Sequence, residues 1–487
     1  MTEKLTVLPV LIPLLSAVVI RFLRFQRKKA CNAFVFLAVL LNSLVILSLL
    51  IFPSSGTLTI LRFGEEYSFA LKADGAGRLF LGLTAFLWPT VTLYAFEYME
   101  EEEQLPRFYS FYLMCFGITA GIALSANLLT MYFFYELLTL FAIPLIAHKG
   151  DRPSAAAAKK FALYAAAGAV FSLCGMLVFL RRAGCAEFTF GGAGCPPAGD
   201  AALLIAYLLL FIGFGVKAGI FPFHAWLPAA CVSPAPADAL LDAVAVMNCG
   251  VFACIRCSFY LFSPAVLAGT WAQQAALAIT VVTILYGSAM ALREQHLERR
   301  LAYSTISNIS YILFGTALLT TNGLLAAFSH MLFHSIIKLT LFSCAGAILC
   351  KTGREYAPET TGLGRRMPLT FLTVMLAALA LTGTPPLPGF ISKANLLIAA
   401  GEADSFLAIA GITALLISAL LTAAYLLPFS VRAFLTSRED MCVFTERDRD
   451  PGLLMLIPFA ILSAAILALS FCSEPLMRLL QQIIAGT

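Results

Sequence analysis

The chain is written in long apolar runs separated by short polar interruptions. Runs of roughly 20 residues, the length a helix needs to cross a bilayer, recur at 5–23, 32–52, 76–96, 108–125, 127–147, 159–181, 201–227, 238–262, 271–292, 301–320, 323–350, 368–401, 404–435 and 452–472. The pattern predicts an all-α polytopic membrane protein with about 14 transmembrane helices and no separate soluble domain. Composition agrees: 60% of residues are hydrophobic, 12% are charged and the mean hydropathy is +0.90, well outside the soluble range.

The basic cluster Arg21, Arg24, Arg27, Lys28 and Lys29 follows the first apolar run rather than preceding it, so that run reads as a retained helix and not as a signal peptide. Placing the cluster in the cytoplasm puts most of the remaining loop Lys and Arg on the same side. Both termini are then expected outside the cell, with the chain in a bacterial cell (inner) membrane. The net charge of +5 follows from this loop bias, and nucleic acid is not an expected partner.

Thirteen cysteines lie mostly inside spans, where cysteine acts as a small hydrophobe. Cys254 and Cys257 form a CxxC without a second pair, which reads as structural. Cys185 and Cys195 share the Gly-rich 182–200 loop, and a disulfide between them is left open. No redox-cofactor, nucleotide or metal motif is legible, so the expectation is a chain without cofactor or metal of its own.

Charge inside the spans carries the functional signal. Lys217 in GFGVKAGIFPFHAWLP lies about ten residues before Trp226, roughly 15 Å from the nearer membrane face at 1.5 Å per residue. Glu136, Lys338 and Lys393 fall at similar depth. Each costs at least roughly 2.5–3.5 kcal/mol to insert, so such residues line hydrated paths or pair with one another. A helix-locking Lys–Glu pair accounts for one such residue but not for the whole set. In SHMLFHSIIKLTLF, His330, His334 and Lys338 repeat at i, i+4 and i+8 along one helix face. Lacking a third ligand, the two histidines read as part of a proton wire rather than a metal site. Two of the charged spans are also interrupted by proline, at Pro222 after Lys217 and at Pro385, Pro386 and Pro388 before Lys393. Paired broken helices point to an inverted-repeat transporter. The expected division is 1–107 for helices one to three, 108–262 and 263–435 for two inverted five-helix repeats, and 436–487 for the last helix and a short tail.

The set MYFFYELLTLFAIPL, GVKAGIFPFHAWLP, RRLAYSTISNISYILFG, HMLFHSIIKLTLF and TPPLPGFISK resembles the antiporter-like subunits of respiratory complex I, Mrp-type cation/proton antiporters and membrane-bound hydrogenases. The resemblance covers nearly the whole chain. It implies broken seventh and twelfth helices, proton translocation along a central polar axis, and an obligate complex with other membrane subunits. By resemblance, Glu136 and Lys217 form the modulated pair, His330, His334 and Lys338 the connection, and Lys393 the outer end. His224 sits in the FPFHAWLP turn, as a helix-positioning or accessory residue.

Two departures stand out. Many relatives carry a lysine where this chain has Asn248, which places the step from Lys217 to the histidines in question. The loop WLPAACVSPAPADALLDA lacks a usual histidine and gains Asp238 and Asp242, an alternative inlet, with a helix-start role for Asp238 equally open. The HxxxHxxxK segment fits the D-type Mrp subunit and hydrogenase subunits better than the quinone-proximal complex I subunit, and lysine rather than glutamate at Lys393 argues against the middle complex I subunit. An antiporter-like subunit of an NADH–quinone oxidoreductase, a non-pumping scaffold and a lone solute transporter are the alternatives. Whether the complex is redox-driven, and whether Na+ moves with protons, is open at this level.

Overall fold

In the computed structural model, residues 2–23, 25, 27–52, 56–63, 67–184, 186–192, 200–403, 405–435 and 448–485 are described. Cys185 and Cys195 lie outside them, and so does the question of their pairing. Among the described residues, eleven helices are long and apolar enough to cross a membrane. Three more complete the up-and-down order: Ala201–Lys217, Leu297–Ala317 and the interrupted pair Pro368–Thr382 and Pro388–Gly401. The fourteen crossings run at the expected places. The tenth, Leu297–Ala317, carries Ser, Thr and Asn along its length, which lowers its hydropathy because it faces the protein interior rather than lipid.

The crossings form a graded bundle. The eighth, Ala235–Leu261, is wholly enclosed, and the eleventh, Thr321–Thr352, is 94% buried over its apolar window. The sixth, Arg152–Ala183, and the thirteenth, Phe406–Arg432, are only a third buried and present their remaining sides to the bilayer. The span with His330, His334 and Lys338 is thus among those farthest from lipid, whereas the fifth crossing with Glu136, Leu128–Ile146, is half buried.

Two features depart from the sequence expectation. A two-stranded antiparallel hairpin, β1 Leu58–Phe63 and β2 Tyr67–Leu71, lies between the second and third crossings. Its outer strand is mostly exposed, so it lacks the buried alternation by which a strand is recognised. The seventh crossing is broken as expected, helical from Ala201 to Lys217 and then turning. The expected short tail contains an amphipathic helix, Ser473–Ala485, which buries Leu480 and Ile484 against the bundle.

Each face is tied together by its loops. On the hairpin face, Asn127 Nδ2 donates to the Ser68 carbonyl at 2.8 Å and Thr189 N to the Tyr260 carbonyl at 3.0 Å. On the opposite face, Glu97 accepts from Lys351 at 2.9 Å and from the Gly452 amide at 2.6 Å, and Arg354 pairs with Asp448 at 3.2 Å.

One brace on the hairpin face joins residues far apart in sequence. Asp74 caps the third crossing through Gly77 N at 2.9 Å and receives both guanidinium nitrogens of Arg256, which is fully buried. Burial opposes ionisation of Asp74, yet the Arg256 guanidinium holds its carboxyl below the usual range. A carboxyl depressed in this way adds stability that is present above its ordinary value of 3.8 and is lost as pH falls through the lower folded-state value. Arg256→Ala is expected to cost about 3–5 kcal/mol by stranding the carboxylate. Arg256→Leu combined with Asp74→Ala should recover part of that loss in thermal unfolding of the detergent-solubilised complex.

Candidate functional site: a charged axis across the bundle

The seventh crossing stops at Lys217 because the residues after it cannot continue a helix. Gly219 takes φ +73° and Pro222 follows three residues later. The carbonyl this frees at Val216 accepts from the Gly219 amide at 3.1 Å and from the Trp226 indole at 2.9 Å. Thr283 Oγ1 receives the Phe221 amide at 3.0 Å. Protein groups thus satisfy an irregular backbone that lipid cannot.

Lys217 occupies the last turn, at the negative end of the helix dipole. Its ammonium donates to the Tyr135 carbonyl, lies 3.3 Å from the centre of the Tyr135 ring, and sits 3.9 Å from Glu136 Oε1. Lys217 is 1% exposed and Glu136 28%. The lysine is enclosed, whereas Glu136, on the fifth crossing, Leu128–Ile146, is partly exposed with its Oε1 buried and without a hydrogen-bond partner.

The twelfth crossing repeats the device. Its first half ends at Thr382 with Gly383 at φ +93°. Lys393, on the second half, folds back to donate to the Leu381 and Thr382 carbonyls at 2.6 and 3.1 Å. These are the acceptors a terminating helix leaves without partners. Beside Lys393, the Ser392 hydroxyl is 2.9 Å from His330 Nδ1, and the Tyr311 ring centre lies 5.4 Å from the ammonium.

The eleventh crossing connects the two breaks. His330 and His334 stack with ring centres 5.8 Å apart, and Lys338 donates to the Leu301 carbonyl at 2.8 Å. All three are at most 2% exposed. Asn248, on the eighth crossing, donates to Ser335 Oγ at 2.6 Å, next in sequence to His334. It also donates to the Ala243 carbonyl at 2.6 Å, at the widened turn Leu241–Ala245. The eighth crossing passes tightly by the seventh at Gly250, where an added Cβ would come within 2.7 Å of the Ala218 amide nitrogen. Asn248 therefore lies between the Lys217 break and the histidines.

Asp242 accepts from Thr305 Oγ1 at 2.7 Å, and that hydroxyl also contacts the Leu301 carbonyl at 3.1 Å. Asp242 and Lys338 are thus joined through one turn of the tenth crossing. Asp238 is buried one turn nearer the Glu97 face, in the first turn of its helix but not capping it: the cap position is Pro234. Glu298, also buried, shares electrostatic contact with Asp238. His224 stands apart in an aromatic box, with ring centres 4.5 Å from Tyr286 and 5.7 Å from Phe221.

Sequence reasoning missed Tyr135, Ser335, Thr305, Ser392, Tyr311 and Glu298. The first five are neutral groups whose only signal is a contact across helices. Glu298 was readable as a carboxylate at a span's edge.

Residues 125–422 match the family described as NADH:quinone oxidoreductase/Mrp antiporter, transmembrane. The chain belongs to this family. It is 30% identical over 499 residues to NADH-quinone oxidoreductase subunit N of Desulforudis audaxviator, covering 97% of each chain. It is 30% identical to hydrogenase-4 component B of Escherichia coli over 70% of this chain and 52% of that one, so it spans about half of that relative. Its fold is shared, at 22% identity and a TM-score of 0.86, with a chain of the Mrp complex from a Dietzia species, over 100% of this chain and 97% of that one. A chain of respiratory complex I from Thermus thermophilus matches with a TM-score of 0.82, also at 22% identity and over 99% of both. In this antiporter-like membrane subunit, His330, His334 and Lys338 and the two aspartates Asp238 and Asp242 lie on the two most enclosed crossings, and Glu136 on a half-buried one.

Two substitutions check the geometry by thermal unfolding of the purified complex. Asn248→Leu strands Ser335 and the Ala243 carbonyl and is expected to cost about 1–3 kcal/mol. His224→Phe keeps the aromatic box and should cost less than about 1.5 kcal/mol.

Proposed function

We propose that this chain is the proton-translocating subunit of a multisubunit membrane complex, with Glu136 and Lys217 as its switch. The observation that carries the reading is the unequal burial of that pair, an enclosed ammonium 3.9 Å from the buried Oε1 of a glutamate whose side chain is 28% exposed on the flank. At that separation and an effective dielectric of about 20, their attraction is about 4 kcal/mol. A neighbouring subunit that draws Glu136 outward removes this hold, and Lys217 then gives up its proton. The partial exposure of Glu136 explains why a partner is required.

On this reading the proton passes by Asn248 and Ser335 to His334 and His330, and by Ser392 to Lys393. Asn248 Oδ1, both ring nitrogens of His334 and His330 Nε2 are buried without a protein hydrogen-bond partner. Buried polar atoms of this kind are expensive unless water serves them, which supports a hydrated route. Asp238 and Asp242 enter as accessory inlet groups on the Glu97 face, assigned to the cytoplasm by the Lys and Arg bias. Both termini are then extracytoplasmic. The two broken crossings, each with a buried lysine held by a backbone carbonyl, support the division into inverted repeats at 108–262 and 263–435.

The partners are other membrane subunits, and protons are the transported ion. A D-type Mrp or hydrogenase-associated role follows from the HxxxHxxxK segment. A second reading, a redox-driven NADH–quinone oxidoreductase, is favoured by the end-to-end match to a subunit N. Subunits that copurify decide between the two, and a dependence of uptake on Na+ decides whether sodium moves.

The test is proton uptake into inverted vesicles carrying the intact complex at equal assembly. Glu136→Gln and Lys217→Ala are each expected to lower uptake by at least about tenfold, a change of 1.4 kcal/mol or more in the limiting step. Unchanged uptake in Lys217→Ala overturns the proposal and leaves a scaffold role.

A further inference from the structure

A chamber of about 470 Å³ opens on the flank of the bundle, within the range of small-molecule sites. Its walls come from the second, third and eleventh crossings and the terminal helix, and include Leu50, Leu83, Leu332, Leu479 and Ile483. Space exists because the third crossing has glycine at 82, where an added Cβ would meet only Leu50 Cδ1, at 3.3 Å. The terminal helix closes the hairpin-face end, since a Cβ at Gly75 would press on Ile483 at 2.9 Å. On the outside, Leu479 is 48% exposed.

Arg78 lies at the hairpin-face end of this chamber, whose lining is apolar apart from Arg78 and Gln482. Among the described residues it makes no ion pair, and its buried Nε has no hydrogen-bond partner. The carboxylate one turn earlier, Asp74, is already taken by Arg256 and the Gly77 amide. A cation beside a bilayer-depth apolar slot calls for an anion, and a guanidinium matches a phosphate well. Together they are complementary to a phosphate joined to an alkyl chain.

We propose that this chamber binds an anionic phospholipid, its phosphate on Arg78 and one acyl chain between the terminal helix and the third and eleventh crossings. The acyl chain rests against Leu332, on the helix that carries His330 and His334. The site is independent of the proton route and stands or falls separately from it.

The experiment is thermal unfolding of the delipidated intact complex with added phosphatidylglycerol or phosphatidylcholine, for wild type, Arg78→Gln and Leu479→Trp. Phosphatidylglycerol is expected to stabilise wild type at about tenfold lower concentration than phosphatidylcholine. Arg78→Gln should abolish that preference, and Leu479→Trp, which fills the chamber from its exposed side, should abolish saturable stabilisation by either lipid. Equal effects of both lipids on wild type, or a preference that survives Arg78→Gln, overturn the proposal. So does cross-linking of a Leu479→Cys variant to another subunit, which would place a protein segment in the chamber. If Arg78→Gln fails to assemble, Leu479→Trp alone decides: undiminished binding of phosphatidylglycerol overturns the site.

Discussion

A backbone carbonyl inside a bilayer is an acceptor that water scarcely reaches, and each lysine of the polar axis of this chain is held on one. Lys393 caps the Leu381 and Thr382 carbonyls at the end of the first half of the twelfth crossing, and Lys338 donates to the carbonyl of Leu301 within the tenth. Lys217 donates to the carbonyl of Tyr135 while sitting at the negative end of its own helix. In each case an oxygen of fixed partial charge faces the ammonium. A carbonyl accepts from a neutral amine as well as from an ammonium, so loss of the proton leaves the hydrogen bond in place. The backbone holds the lysines in position without dictating their charge.

Glycine and proline make this arrangement possible. Gly383 adopts a left-handed conformation that ends one half-helix, with Lys393 Cδ 3.2 Å from where a Cβ would stand. Gly389 lets the second half start against the Ala380 carbonyl, a position any side chain would obstruct. Gly219 performs the turn after Lys217. Substituents at 383 and 389 would crowd Lys393 and the half-helix end it caps, so at the twelfth crossing the break and the charge are one feature of the chain.

The crossings were legible because their apolar runs match bilayer length, and Glu136, Lys217 and Lys393 because charge at mid-span has no bland explanation for all of them at once. The spacing of His330, His334 and Lys338 set them on one face, as the stacked rings show. Other features had no such local signal. The Asp74–Arg256 brace joins residues 182 positions apart, and nothing in either neighbourhood names the other. The reach of Asn248 to Ser335 depends on the widened turn at Leu241–Ala245, which periodicity at 3.6 residues does not anticipate. The break after Lys217 was legible from Pro222, although the apolar turn that follows reads by length like more helix.

Asn248 is the residue on which the proposed route depends most. An amide holds no proton, but it donates to Ser335 while its oxygen stays without a protein partner, so it can order water on the path from Lys217 to His334. The missing charge is offset nearby. Asp242, on the same crossing, reaches Lys338 through Thr305 and the Leu301 carbonyl, which gives the second half of the molecule its own carboxylate and lysine. The two pairs differ in access. Glu136 is partly exposed and 3.9 Å from its lysine, whereas Asp242 is enclosed and acts through a hydroxyl. On the proposed route an outside subunit can therefore move the first pair directly, whereas the second is reached only through the groups that enclose it.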